Sequence, residues 1–285
     1  MSSDLIQWQW KGVALTPGEN ISDPDHTGCW TGSAAIDTTG TNLPTIIYTG
    51  VRTPDHLESQ MIAVAKDDEI SSWVKADSNP IIAEPPFKEL PGRVSGFRDP
   101  SFWFDEELGQ WRMIIGSGVK GVGGYILMYT ADKLQGPWTY QNPLYYNNNT
   151  QYHGDMWECP DFFELSTISG NSSRWVLIFG DDRAQRNFYM IGAFDKVAGV
   201  FIPDPAFQRG GLILDAGNYY ASKTMLDSNS GQRILWGWSP EARTQAAYKA
   251  AGWAGIQTIP RVLALCEDLS TLHFAPVPTL DGIIK

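Results

Sequence analysis

The stretch that decides the fold runs from Trp111 to Trp138 and reads WRMIIGSGVKGVGGYILMYTADKLQGPW. Its two apolar runs, residues 111–115 and 125–129, have the length and the glycine-rich boundaries that are typical of β-strands. Asp132 closes the second run and begins a short segment that ends in an aromatic residue. These features predict two strands joined by a tight turn, followed by an Asp-to-aromatic signature.

The same signature occurs four times along the chain. The Asp residues that begin it are spaced 64, 64 and 63 residues apart. In chain order the segments are DLIQW (4–8), DEISSW (68–73), DKLQGPW (132–138) and DKVAGVF (195–201). Apolar runs of strand length precede the second, third and fourth of them. Each repeat therefore carries three or four short strands, and radially repeated four-stranded sheets are the blades of a propeller.

We expect the first repeat to be incomplete, because its signature begins at Asp4 and leaves no sequence for the inner strands of that unit. We therefore predict an all-β fold, a five-bladed β-propeller with the first blade incomplete, that occupies residues 1–285 as one domain. The Ala-rich segment 241–251 is followed by Gly252, which predicts a short helix.

The acidic and aromatic composition narrows the classes of function. The chain has 21 Lys and Arg against 32 Asp and Glu, a net charge of −11, which argues against a nucleic-acid partner. Its 12 Trp, 11 Tyr and 12 Phe suit β-sheets and sites that stack flat rings on sugars. No apolar run approaches the ~18 residues of a membrane span. The first residues show no signal peptide. We expect a small-molecule or oligosaccharide substrate, no nucleic acid and no membrane; the oligomeric state stays open.

Signals for metals and nucleotide cofactors are weak. Residues 116–121 match GxGxxG, but a strand follows them where a dinucleotide site needs a helix, so a hairpin turn is the better interpretation. The string Asp23-Pro-Asp25 lacks the other ligands of a calcium loop. The four histidines are scattered, and the three cysteines form neither a disulfide framework nor a zinc motif. We expect no metal and no cofactor.

Carboxylates at equivalent positions of the repeat are the stronger signal. Asp99, Glu158 and Asp215 each precede the first strand of a predicted blade, and those positions lie at one end of a propeller's central funnel. Glu158 stands between Trp157 and Cys159, an apolar setting that suits a general acid. Glycoside hydrolysis needs two carboxyl groups that face the scissile bond. The alternative is that these residues are ordinary strand-end turns.

Six strings together resemble the catalytic propeller of glycoside hydrolase family 32, which contains invertases, fructan hydrolases and fructosyltransferases. They are GCWTGSA (28–34), FRDP (97–100), MWECPD (156–161), YYASKT (219–224), ILWGW (234–238) and GWAGIQTIPR (252–261). They lie in the family order over nearly the whole chain.

The resemblance implies a role for each matching residue. Glu158 is the acid/base, and Asp99 is the transition-state stabiliser that holds fructose hydroxyls with the help of Arg98. Trp30 and Ser33 line the fructosyl pocket. The implied substrate-binding residues are Arg98, Trp30, Ser33, Phe97, Cys159 and, on the leaving-group side, Asp215.

The chain also departs from the family pattern. The family nucleophile is an Asp in an Asn-Asp-Pro-Asn-Gly string, and this sequence has no such string. Asp23-Pro-Asp25 looks similar but aligns with a later loop. We expect the C-terminal β-sandwich of the family to be absent as well. Asn218 stands where sucrose-specific plant members often carry Lys.

The predicted function is therefore that of a β-fructofuranosidase-like glycosidase. It acts on sucrose or fructans by a retaining two-carboxylate mechanism, and the missing nucleophile impairs it in this chain. Three alternatives stay open: a sugar-binding propeller without activity, a fructosyltransferase of the same family, and a related five-bladed hydrolase that inverts arabinose-type furanosides. The family suggests a secreted or vacuolar protein.

Overall fold

A computed structural model describes residues 1–54, 56–67, 70–147 and 154–281. Asp68 of the second signature lies outside the described residues. Those residues form an all-β propeller fold, with eighteen strands in four antiparallel sheets and a single α-helix. In each sheet, the main strands lie side by side in chain order, so each repeat folds as a meander.

The first two sheets have four strands each. The first contains β1 (Gly28–Ile36), β2 (Pro44–Arg52), β3 (Leu57–Ala65) and β4 (Trp73–Lys75). The second contains β5 (Val94–Asp105), β6 (Gln110–Val119), β7 (Gly123–Ala131) and β8 (Thr139–Tyr146).

The third and fourth sheets each add one short strand to the same plan. The third contains β9 (Trp157–Ser166), β10 (Ser173–Asp181), β11 (Arg186–Asp195) and β12 (Val200–Pro203), and β13 (Leu212–Ile213) pairs with β11. The fourth contains β14 (Tyr220–Leu226), β15 (Arg233–Ser239), β17 (Arg261–Leu265) and β18 (Leu272–Pro276), and β16 (Ile256–Gln257) pairs with β15. Two short 3₁₀ turns cover Pro205–Phe207 and Pro278–Leu280.

The chain divides into two compact units. The first unit, as named here, contains Lys11–Pro160 and Phe194–Phe201. The second unit contains Met1–Trp10, Asp161–Ala193 and Ile202–Lys285. The first and second sheets belong to the first unit, and the fourth sheet belongs to the second unit.

The core of the first unit explains why its middle strands are almost continuously apolar. Strands β6 and β7 are buried along nearly their whole length, so side chains on both of their faces are shielded from water. The Trp111 ring packs against Phe102 and Phe104, with ring centroids 6.0 and 5.3 Å apart, and its Nε1 donates to Thr39 Oγ1 at 2.7 Å. Fully burying a large apolar side chain contributes roughly 1.5–3 kcal/mol.

The prediction of five blades is wrong for the described residues, which form four sheets. The signature at Asp4 is not part of a strand. Asp4 Oδ1 instead accepts the backbone N–H groups of Ile6 and Gln7 at 2.9 and 2.8 Å, which closes a turn. Trp8 packs edge-on against Trp236, with centroids 5.8 Å apart. An extended segment without a neighbouring strand has no ladder to join, so local capping and contact with the fourth sheet decide its structure.

The hairpin interpretation of residues 116–121 is confirmed. Gly116 and Gly118 lie within β6, and Gly121, at φ +74°, lies in the turn between β6 and β7. The predicted helix is also confirmed but starts later, at Gln245–Ala251. The Thr244 side chain caps it by accepting from Ala247 N, and Gly252 ends it in the left-handed conformation.

Candidate active site

Arg98 on β5 joins two carboxylates of the first unit. Its Nη2 and Nε donate to Glu158 Oε1 at 2.7 and 3.2 Å, and its Nη1 donates to Glu58 Oε1 at 2.9 Å. The side chains of Glu58 and Arg98 are 14% exposed and that of Glu158 is 20% exposed, so water reaches this cluster only in part. The guanidinium fork suits this task because its donors lie along two separate edges.

Asp99 lies next to this cluster and holds the chain that carries Glu158. Asp99 Oδ2 accepts the backbone N–H of Cys159 at 2.7 Å, and both residues are buried. The N–H of Asp99 donates to Thr49 Oγ1 at 2.9 Å. A buried carboxylate that accepts a backbone N–H forms a strong, charge-assisted bond. Strands β2, β5 and β9 therefore meet at this point.

The backbone is irregular at both of these residues. Asp99 has φ +66° and Cys159 has φ +47°, a region that costs non-glycine residues of order 1–3 kcal/mol. The register between β5 and β6 shifts between Arg98 and Ser101, as it does at a β-bulge. Such bulges turn side chains that would otherwise continue the alternation of the strand. The sequence predicted these residues just before their strands, whereas the structure places them inside β5 and β9.

Charge dominates the surroundings of Glu158. Its sequence neighbours predicted an apolar setting, and both Trp157 and Cys159 are indeed buried, but the carboxylate itself contacts the Arg98 guanidinium. Burial alone lowers the pKa of Arg98, but the negative charges of Glu58 and Glu158 outweigh that effect and raise the pKa above its ordinary value. Arg98 is therefore a permanent cation between the two carboxylates.

The other predicted pocket residues of the first unit are placed as follows. Trp30 on β1 is 46% exposed, and its indole lies over Gly28. Ser33 Oγ donates to Pro100 O at 2.9 Å, which ties β1 to the residue after Asp99. The Phe97 ring is buried in the core against Tyr129, with centroids 6.2 Å apart, so only its backbone reaches the carboxylate cluster.

Asp215 belongs to the second unit and has its own cationic partner. Arg261 Nη1 donates to Asp215 Oδ2 at 2.8 Å, and the guanidinium lies 5.0 Å from the centre of the Tyr219 ring. Burial raises the pKa of the Tyr219 hydroxyl to about 12. Asn218 donates to Pro240 O at 2.6 Å.

Asp25 of the Asp23-Pro-Asp25 string lies on the opposite face of β2 from Asp99. Side chains of a strand alternate between its two faces. Thr49 points to Asp99, whereas Tyr48 donates to Asp25 Oδ2 at 2.7 Å. Asp25 also receives hydrogen bonds from Lys75 Nζ at 2.5 Å and Cys29 Sγ at 3.5 Å. The Asp25 carboxylate therefore joins Tyr48, Lys75 and Cys29 and does not face Asp99.

Burial raises the pKa of Asp25, but the hydrogen bonds and charge of Lys75 and the hydrogen bond from Tyr48 outweigh it, so that the pKa is lowered. Burial, together with the Asp25 charge, raises the pKa of the Cys29 thiol to about 11. This cysteine is therefore a protonated thiol at neutral pH.

The sequence model of the "Glycosyl hydrolases family 32 N-terminal domain" matches residues 1–276. The chain belongs to glycosyl hydrolase family 32. This confirms the resemblance drawn from the six strings, of which FRDP carries Arg98 and Asp99, and MWECPD carries Glu158.

Known members of family 32 are similar over almost all of this chain. Fructan 6-exohydrolase of Beta vulgaris is 34% identical over 98% of this chain and 47% of its own length. The insoluble β-fructofuranosidase isoenzyme 4 of Oryza sativa subsp. japonica is 37% identical, over 99% and 48%. A Glu-to-Gln variant of fructan 1-exohydrolase IIa from Cichorium intybus, in complex with 1-kestose, has a TM-score of 0.84 at 29% identity, over 99% and 52%. The chain thus spans about half the length of these relatives.

Two residues that contact Arg98 or its neighbour Phe97, Glu58 and Gln60, were not predicted from the sequence. Both lie on β3 and, at a spacing of two, point to the same face of that strand. Gln60 Nε2 donates to Phe97 O at 2.8 Å, and Glu58 accepts from Phe97 N. The available signal was a Glu-x-Gln pair just before the apolar run 61–65. It looked like the polar start of an ordinary strand.

The described residues show neither a metal-binding cluster nor a membrane-spanning helix. No group of three or more His, Cys, Asp or Glu side chains in that part of the chain is arranged to hold a metal ion. None of its helices is long and apolar enough to cross a membrane.

Proposed function

We propose that this chain carries the acid/base and the transition-state stabiliser of a site for β-fructofuranosides, with sucrose or fructans as substrates. The observation that carries the proposal is the junction of Arg98, Glu158 and Asp99, in which one cation and one backbone N–H tie the two predicted carboxylates together. Membership of family 32 supports it, and so does the complex of the chicory variant with 1-kestose.

In this proposal Glu158 donates a proton to the oxygen of the leaving group and later takes one from water. Asp99 accepts hydrogen bonds from fructose hydroxyls, and these bonds strengthen as positive charge develops on the sugar ring. Arg98 holds the Glu158 carboxylate in place. Trp30 offers an exposed indole face on which a sugar ring can stack.

The remaining predicted roles extend the same proposal. Ser33 fixes Pro100 and so the position of Asp99, while Phe97 and Cys159 act through their backbone groups. Asp215, held by Arg261, is proposed for the leaving-group side.

A second function, sugar binding without hydrolysis, is favoured by a specific observation. Retaining hydrolysis needs a carboxylate that attacks the anomeric carbon. The carboxylates next to Arg98 are already engaged, Glu58 by Arg98 and Phe97 N, and Asp99 by Cys159 N. The sequence has no Asn-Asp-Pro-Asn-Gly string to supply another.

The proposal is tested by titrating the chain with 1-kestose in a calorimeter. We expect binding, and we expect D99N to weaken it about tenfold or more, because a charge-assisted hydrogen bond is lost. Asn tolerates the left-handed backbone that Asp99 adopts, so D99N keeps the local fold. E158Q should weaken it less than D99N does, because Gln keeps an oxygen that can accept from Arg98 although the charge is lost.

The matched control is D77N, which neutralises an exposed Asp of the same unit. It should leave the affinity unchanged. Absence of binding by the folded wild-type chain to both 1-kestose and sucrose would contradict the proposal, and so would a D99N affinity equal to that of the wild type.

A further inference from the structure

Glu58 uses both of its carboxylate oxygens within the site. Oε1 accepts from Arg98 Nη1 at 2.9 Å, and Oε2 accepts from the backbone N–H of Phe97. Glu58 lies on β3 and belongs to none of the six strings that resemble family 32. One side chain therefore holds two consecutive residues of β5 just before Asp99.

The neighbouring residues complete a clamp on the same segment. Gln60 Nε2 donates to Phe97 O, and Thr49 Oγ1 accepts from Asp99 N while it donates to Gln60 Oε1 at 3.1 Å. Thr49 and Gln60 are fully buried, so these bonds are shielded from water. These bonds fix the backbone of residues 97–99. Among the three side chains of this clamp, Glu58 alone is charged, and it also contacts the Arg98 guanidinium.

The geometry of Arg98 shows what this contact does. An arginine side chain has many rotamers and loses up to about 2 kcal/mol of conformational entropy when it is fixed. Glu158 binds the edge formed by Nε and Nη2, and Glu58 binds the remaining Nη1. With both edges occupied, the guanidinium plane has one orientation.

We propose that Glu58 is a positioning residue of the fructoside site: it orients Arg98 so that the other edge of the guanidinium holds Glu158 in place. This inference rests on the proposed function of Glu158 and Arg98. Glu58 acts through Arg98, and the sugar need not touch it.

A purely structural role would make different predictions. If Glu58 only pinned the Phe97 backbone, its loss would lower stability, and its effect on ligand binding would not depend on Arg98. If it acts through Arg98, its effect disappears once Arg98 has been removed. The double-mutant cycle between the two residues separates these cases.

The test uses the whole chain and the variants E58Q, E58A, R98A and E58Q-R98A. Gln is as long as Glu but offers one acceptor and one NH₂ group, so one of the two contacts becomes donor against donor. We expect E58Q to weaken 1-kestose binding about tenfold. The double variant should bind no more weakly than R98A alone. E84Q, at an exposed site of the same unit, is the control and should have no effect.

A second readout needs no ligand. The Nε–H resonance of Arg98, assigned by its loss in R98A, reports the guanidinium directly by NMR. In E58Q and E58A, we expect this resonance to shift and its proton to exchange with water about tenfold faster.

These outcomes decide between the alternatives. An unmoved Arg98 resonance in folded E58Q and E58A, or a binding effect of E58Q that adds to that of R98A, would overturn the positioning role. If the wild type binds no 1-kestose, the proposed function fails, but the Arg98 resonance still decides whether Glu58 orients this side chain.

Discussion

Asp25 shows at the scale of one residue how burial and partners decide the role of a carboxylate. It is 2% exposed and receives hydrogen bonds from Tyr48, Lys75 and Cys29. Its pKa is lowered in the folded chain. A group of this kind adds stability above its unfolded pKa of about 3.9, and that contribution is lost as the pH falls through the folded pKa.

We therefore expect D25N to be less stable than the wild type by about 2 kcal/mol at pH 7, because Lys75 and Tyr48 lose a charged acceptor. The difference should shrink from about pH 4 downwards, where the wild type takes up the proton. Urea unfolding between pH 7 and pH 2, followed by tryptophan fluorescence, measures both effects.

Asp23 provides the control for D25N. Asp23 is only two residues away from Asp25 in sequence, and its carboxylate accepts a hydrogen bond from Asn20 N. D23N should change stability by less than about 0.5 kcal/mol. If D25N proved as stable as D23N at pH 7, the charge of Asp25 would not stabilise the fold, and its lowered pKa would need another cause.

At the scale of elements, the glycines of the β6–β7 hairpin allow the start of β9 to lie close to it, because they have no side chains. A Cβ on Gly118 would lie 1.8 Å from Asp155 O, and one on Gly116 would lie 2.4 Å from Trp157 O. A Cβ on Gly124 would lie 2.3 Å from the Trp157 ring. The residues that lead into Glu158 therefore lie directly on this hairpin.

We expect G118A to destabilise the chain by about 3 kcal/mol, because its methyl group meets backbone atoms that cannot move independently. It should also weaken 1-kestose binding, since the displaced segment carries Glu158. Urea unfolding and calorimetry measure the two effects. G109A is the matched control: Gly109 has φ +65° and no atom within 4 Å of an added Cβ, so only backbone strain of about 1 kcal/mol applies. Equal losses in the two variants would show that contact with residues 155–156 is unimportant.

Regular elements could be predicted from the sequence, and irregular ones could not. The apolar runs at 111–115 and 125–129 predicted β6 and β7 because period and length fix a strand locally. The bulge at Asp99 depends on Thr49 and Cys159, which are distant in sequence. Glu58 was missed for the same reason, since only the pairing of β3 with its neighbours brings it to Arg98.

At the scale of the whole molecule, the repeat predicted the kind of fold but overcounted its units. A signature counts as a blade only where strands accompany it. The second to fourth repeats satisfy this condition with full meanders, and the fourth sheet follows them. Residues 4–8 form a capped turn, because the residues around them offer no partner strand.

Activity also depends on the whole molecule, because hydrolysis with retention needs all carboxylates of the site together. The polypeptide of these 285 residues has Glu158, which we propose as the proton donor, and Asp99 near it, but it has no Asn-Asp-Pro-Asn-Gly string. Glu58 is bound to Arg98, and Asp25 lies on the other face of β2. A reacting group displaced by about 1 Å already costs about 10²-fold in rate, so we expect neither to take over.

We therefore expect this polypeptide to bind 1-kestose without releasing fructose from sucrose, 1-kestose, inulin or levan. Fructose release, measured over hours against a heat-denatured sample, checks this. Release above the background that E158Q abolishes would contradict the prediction. It would mean that a carboxylate of this chain attacks the anomeric carbon. Because E58Q also disturbs Arg98, loss of release in that variant alone would not identify the nucleophile. The residue that carries the covalent fructosyl group, located by peptide mass spectrometry, would identify it.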